Sequence, residues 1–161
     1  MTLSTQSGDL LISRVMALLL RSNQKRLVMT MDNPHDEIAL FYNSLFNFPS
    51  YYDPGLTERI SQLLDEHSCH GVLECGCGTG NPSIGLALKG YEVCGIDTSK
   101  IMLEIAKSNA KKEGSSLKLL NCSMESISQL GYYDCIICHD SLYHFETASE
   151  LSCFLLAAKA V

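Results

Sequence analysis

The run Glu74-Cys75-Gly76-Cys77-Gly78-Thr79-Gly80-Asn81 carries the densest chemical signal in the chain. Glycine at alternate positions lets a backbone turn tightly and approach a ligand closely. The N–H groups of a following helix then point at the same spot. The dinucleotide fingerprint sets two residues between its last two glycines, where this run has one, which disfavours a nicotinamide-dependent oxidoreductase. Glu74 strengthens the distinction, because a carboxylate there suits a cationic ligand and repels a pyrophosphate. Two further segments carry reactive side chains: Gly95-Ile96-Asp97-Thr98-Ser99, and Cys138-His139-Asp140-Ser141-Leu142-Tyr143-His144-Phe145.

These residues need elements to hold them, and the pattern supplies strands and helices in alternation. Val72 to Cys75 is a short apolar strand. Asn81 is the expected N-cap of the next helix, with Pro82 at its first position and Gly90 at its end. Tyr91 to Ile96 makes a second strand, Lys100 to Glu113 a helix stopped by Gly114, Leu117 to Asn121 a third strand, and Tyr133 to His139 a fourth. Thr147 and Glu150 have capping-box spacing before a last helix through Leu151, Phe154, Leu155 and Ala158. Ahead of the first strand, Asp36 to Phe46 has helical spacing with Ile38, Leu40, Phe41 and Leu45 apolar. Pro49, Pro54 and Gly55 then make a loop, and Thr57 to Glu66 is a second helix. Strict alternation implies parallel strands joined by right-handed crossovers. The expected fold class is α/β: a doubly wound, Rossmann-like parallel sheet of four strands with helices on both faces.

Composition narrows the function. The chain has 161 residues, 46% hydrophobic and 19% charged, enough for one core. A formal charge of -6 argues against gripping nucleic acid through its phosphates and favours a small-molecule partner. No run of about 18 apolar residues occurs, so a membrane span is excluded, and a secretory signal is poorly supported. Of the eight cysteines, Cys75 and Cys77 lie in the glycine loop and Cys94, Cys135 and Cys138 in apolar strands, which reads as free thiols in a reducing, cytoplasmic setting. Residues 1–31 form a basic amphipathic extension, with Arg14, Arg21, Lys25 and Arg26 against Asp9. This is a transit peptide, an appended helix, or the product of an upstream start. Residues 32–70 form a helical cap segment, and residues 71–161 the ligand-binding domain.

The run Val72 to Asn81, with Gly95 to Ser99 and Met102-Leu103 after it, resembles motifs I and II of the class I S-adenosylmethionine-dependent methyltransferases. The resemblance covers roughly residues 36 to 161. It implies S-adenosylmethionine as cofactor and a small-molecule methyl acceptor as substrate. Glu74 would lie near the methionine amino end, with Gly76, Cys77, Gly78 and Gly80 forming the loop around it. Asp97 would accept hydrogen bonds from the ribose hydroxyls, two at once, and Thr98 would lie beside the adenine. Ser123, followed by Met124, stands where the family often has an acidic residue and would bond the adenine amino group. His139 ends the strand whose loop passes the sulfonium, and Asp140 or His144 could take a proton from a hydroxyl or ammonium acceptor. Tyr42 and Tyr52 match positions where small-molecule relatives place an aromatic cover over the substrate.

Other readings of the same residues stand beside these. Asp97 also fits a helix N-cap, His139 a hydrogen-bonded histidine at a strand end, His144 a loop residue, and the two tyrosines packing. No metal site is expected. In a strand, Cys135 and Cys138 point to opposite faces and cannot share a haem. A zinc site from Cys69, His70, Cys75 and Cys77 would close the glycine loop. The resembled fold has seven strands, so the fourth would leave an apolar edge here. Missing C-terminal strands or a partner chain would cover it, and the alternative function is a catalytically incomplete cofactor-binding or partner-dependent module.

Overall fold

The strands are built from apolar runs that alternate their side chains between two layers of cover. A computed structural model describes residue 33, residues 35–45 and residues 50–158; the basic extension of residues 1–31 lies outside the described residues. Within them the elements are α1 (His35–Leu45), α2 (Pro54–Glu66), β1 (Gly71–Cys75), α3 (Asn81–Leu88), β2 (Glu92–Asp97) and α4 (Lys100–Glu113). They continue with β3 (Lys118–Asn121), a 3-10 segment (Met124–Gln129), β4 (Cys135–Ile137), a 3-10 turn (Leu142–His144) and α5 (Ala148–Ala158). All strand pairs are parallel, in the order β3-β2-β1-β4.

Period two sorts the core. Leu73, Cys75, Cys94 and Ile96 face one side and pack with Ile127 of the 3-10 segment and Phe154 of α5. Val72 and Val93 face the other side, against Leu64 of α2 and Leu86 of α3. Leu73, Leu86 and Ile96 are fully buried, each contributing about 1.5–3 kcal/mol. The expected doubly wound α/β class is therefore the observed one, with helices on both faces. All eight cysteines are free thiols.

Local chemistry sets the element ends. Ser99 caps α4 by accepting from the Met102 N–H at 3.1 Å, and Gly114 closes that helix in the left-handed region at φ 73. Thr147 and Glu150 form the expected box: the Glu150 N–H donates to Thr147 Oγ1 at 3.2 Å, and the Thr147 N–H to Glu150 Oε2 at 3.3 Å. Three expectations differ. The N-cap of α3 is Gly80, left-handed at φ 91, because the Asn81 side chain instead accepts from the Asp53 N–H at 2.5 Å. β4 is shorter than expected, since Asp134 turns its carboxylate to the N–H groups of His70, at 2.9 Å, and Gly71, at 2.7 Å. On α1, Ala39 is buried while Ile38 and Phe41 stay exposed, because α1 packs across α4 rather than onto the sheet.

Strand order matters for function. The chain runs outward from β1 to β3, then crosses to β4 on the other side of β1. The order thus reverses between β1 and β4, and in open α/β sheets such a reversal opens a crevice at the carboxyl ends of the strands.

Candidate active site

A cavity of about 400 Å³ occupies that crevice, within the size range of cofactor pockets. Each strand end feeds it: Glu74, Gly76, Cys77 and Gly78 after β1, Asp97 and Thr98 after β2, Ser123 and Met124 after β3, and His139 and Asp140 after β4. Tyr42 and His144 also line it.

The glycine loop is fastened to the end of β2. The N–H groups of Gly76 and Cys77 both donate to the Ile96 carbonyl at 2.9 Å. The Gly78 N–H donates to Asp97 Oδ2 at 2.8 Å, and the Ser99 N–H to Asp97 Oδ1 at 2.8 Å. A carboxylate accepts about four hydrogen bonds, so Asp97 braces the loop and keeps capacity for two hydroxyl donors.

Gly76 and Gly78 serve different ends. At Gly76, φ is +71 and a Cβ would stand 2.6 Å from Ser141 Cβ. Only glycine admits that approach, by which the Ser141 hydroxyl donates to the Cys75 carbonyl at 2.7 Å and ties the β4 loop to β1. At Gly78, φ is +51 and a Cβ would meet nothing within 4 Å, so the missing side chain leaves cavity space.

Glu74 is buried at 2% exposure. Its Oε2 accepts from the Ser83 N–H at 3.0 Å and from the Ser83 hydroxyl. Burial, with the charge of Asp97 adding to it, pushes the carboxyl up to about 8 despite those bonds. Opposite, burial holds His144 below the ordinary histidine value, the neighbouring His35 adds to that, and Asp97 opposes it. His139 Nε2 lies 3.7 Å from Asp140 Oδ2, and Asp140, at a left-handed φ of 52, lines the cavity with its carboxylate exposed.

Some expected residues sit elsewhere. Tyr52 presses on α3, where a Cβ on Gly85 would come within 2.8 Å of its Cδ2. Its place is therefore in helix packing, and of the two tyrosines only Tyr42 lines the cavity. Gly80 lies behind the loop, where a Cβ would meet Ala106 and Ile84 at 3.2 Å. Cys77 is buried with its Sγ turned toward Gly95, so it offers a ligand its backbone rather than its thiol. Ser123 caps the 3-10 segment, accepting from the Glu125 N–H at 3.2 Å. Sequence reading missed Ser83, Arg59 and His35. The latter two also line the cavity, brought there by helices that no local motif marks.

Residues 72–160 match the family described as a methyltransferase domain. The chain belongs to that family. A ubiquinone biosynthesis O-methyltransferase of Rickettsia canadensis (strain McKiel) is 28% identical over 95 residues, covering 59% of this chain and 40% of the relative. Magnesium protoporphyrin IX methyltransferase from Synechocystis PCC 6803, solved with bound S-adenosylhomocysteine, superposes with a TM-score of 0.55 at 27% identity, over 65% of this chain and 49% of that one. A S-adenosylmethionine-dependent methyltransferase from Clostridium acetobutylicum ATCC 824 shares the fold, with a TM-score of 0.58 at 24% identity, over 78% of this chain and 52% of that one. The chain spans less than half the length of the curated relatives it matches. The match begins at Val72, so this methyltransferase domain takes in the glycine loop, Asp97 and the β4 loop, while α1 and α2 precede it.

Proposed function

We propose that this chain binds S-adenosylmethionine and takes part in methyl transfer to a small-molecule acceptor. The observation that carries the reading is the Asp97 carboxylate: it is fastened to Gly78 of the glycine loop, faces the cavity at the strand reversal, and keeps room for two hydroxyl donors. The residues present fit the cofactor. Gly78 opens space for it, and Asp97 offers a carboxylate to it. Glu74 is a buried acid that would give up its proton to a cation placed beside it, and the volume suits a nucleoside-sized ligand.

When bound, S-adenosylmethionine supplies a methyl group already activated by the sulfonium. The chain's part is then to bind, orient and exclude water, which accounts for most of the gain available in such a displacement. Asp97 would hold the ribose hydroxyls by charge-assisted bonds. Glu74, under Ser83, would face the ammonium. Thr98, Ser123 and Met124 would border the adenine, and Tyr42 would cover the acceptor side. Asp140, His139 and His144 line the mouth, where His144 in its neutral form is suited to receive a proton.

The net charge of -6 supports a small-molecule acceptor over nucleic acid, as does the small-molecule chemistry in the names of two of the three similar proteins. Radiolabelled methyl transfer from S-adenosylmethionine, assayed with a metabolite extract and with RNA in parallel, tests the reading. Label in the low-molecular-weight fraction is expected; label confined to RNA or protein overturns the acceptor class.

A second reading is a cofactor-binding module completed by further chain. Among the described residues β4 pairs only with β1, leaving its outer edge unpaired, and sheet edges of that kind are normally covered. Cofactor binding without turnover in the labelling assay distinguishes it.

A further inference from the structure

One pair in the cavity wall lies outside the cofactor contacts proposed above. His35, in the first turn of α1, meets His144, at the end of the turn after β4, edge to face, with ring centroids 4.7 Å apart and planes at 82°. Both line the cavity. The position of His35 is set by bonds to the end of β2 on either side of it. The Asn33 amide donates to Thr98 Oγ1 at 3.0 Å, and the Ser99 hydroxyl donates to the Asp36 carboxylate. α1 is therefore anchored to the residues that follow Asp97.

We infer that His35 is a positioning residue of this site: held edge-on to His144 by the α1 anchor, it orients that imidazole to receive the proton of a protic acceptor, one whose nucleophilic atom is an O–H or N–H. The inference rests on the methyl-transfer reading and names the substrate class the same cavity takes. In the proton step, the acceptor's O–H or N–H bond breaks and its electron pair stays on oxygen or nitrogen. The proton bonds to a ring nitrogen of His144, which releases it to solvent at the exposed mouth. An acceptor without a proton to lose, such as a thioether, has no need of such a wall.

The charged surroundings agree with that role. Burial and the ring of His35 both disfavour the protonated form of His144, while Asp97 from β2 favours it. His139 and Asp140 on the same loop, Glu125 in the 3-10 segment, Glu150 on α5, Glu74 on β1, and Asp53 and Arg59 at and on α2 line the same cavity. An imidazole held below its ordinary value is neutral at neutral pH and accepts a proton.

An NMR pH titration of the histidine-labelled full chain tests this, with His144→Gln assigning the resonance and with His35→Phe and His35→Gln compared with the native chain. S-adenosylhomocysteine calorimetry on the native chain runs alongside. In the native chain His144 is expected to titrate below an ordinary histidine. His35→Phe, which keeps a ring against His144 and removes the ionisable nitrogens, is expected to move that midpoint upward, and His35→Gln to move it in the same direction. His35 is only half-buried, so His35→Gln carries the test if the phenylalanine variant fails to fold. An unmoved His144 midpoint in a folded variant overturns the proposal. A native chain that fails to bind S-adenosylhomocysteine overturns the methyl-transfer reading, and the acceptor role with it, by a separate signal.

Discussion

Ser83 donates both its backbone N–H, at 3.0 Å, and its hydroxyl to a single oxygen of Glu74, a carboxylate that is 2% exposed at the end of β1. The bond joins the strand to the first turn of α3, across the glycine loop. It fixes one oxygen of the carboxyl against α3. The two donors do not offset the loss of water, and the carboxyl is pushed up to about 8 by burial. A buried acid without a bound partner keeps its proton; a cation placed beside it would take that proton's place.

The first consequence concerns stability. The folded chain holds a proton on Glu74 up to about pH 8, whereas an unfolded glutamate releases it near about 4.3. The contribution of Glu74 is therefore fully present below the unfolded value and is lost as pH rises through the folded one. Urea unfolding of the native chain and Glu74→Gln, compared from about pH 5 to pH 9, is expected to show the native chain losing ground steadily up to about 8 and levelling off above. A difference that is flat across that window contradicts the burial argument.

Ligand binding is expected to release the same proton. Calorimetry of S-adenosylhomocysteine near neutral pH, in buffers of different ionisation enthalpy, is expected to give an observed enthalpy that changes with the buffer. Glu74→Gln is expected to reduce that dependence. Identical enthalpies in all buffers for the native chain would remove Glu74 from the ammonium site.

The two loop glycines are expected to separate stability from binding. Gly76→Ala meets Ser141 and a left-handed φ, for a cost of about 2–4 kcal/mol in chemical denaturation. Ser141→Gly on that background is expected to relieve the clash, offset in part by the lost bond to the Cys75 carbonyl, and to leave the backbone part. Gly78→Ala meets no atom and is expected to cost only about 1–2 kcal/mol, yet to weaken S-adenosylhomocysteine about tenfold, roughly 1.4 kcal/mol, by filling cavity space. Equal effects of the two substitutions on both readouts would contradict the assignment.

Much of the architecture was legible because it is written in local signals. Ser99 and Gly114 bound α4, Thr147 and Glu150 open α5, and apolar runs between turn residues mark the strands. The glycine loop and Asp97 were legible for the same reason. What escaped was tertiary. Asn81 looks like a cap until Asp53 claims its side chain, and Tyr52 looks like a lid until Gly85 makes room for it on α3. Ser83 carries no mark of its bond to Glu74, and His35 none of its contact with His144. Each is decided by a partner brought close only when the chain folds.

The central claim is that the crevice between the glycine loop and Asp97 is a cofactor site, and direct calorimetry tests it. S-adenosylhomocysteine is titrated into the native chain and into Asp97→Asn, with NADH titrated in parallel. Saturable binding is expected in the native chain, weakened in the variant by about 1.5–3 kcal/mol, roughly ten- to a hundredfold, with little response to NADH. A demonstrably folded chain that does not bind S-adenosylhomocysteine, or that binds it equally well without the Asp97 carboxylate, would contradict the account.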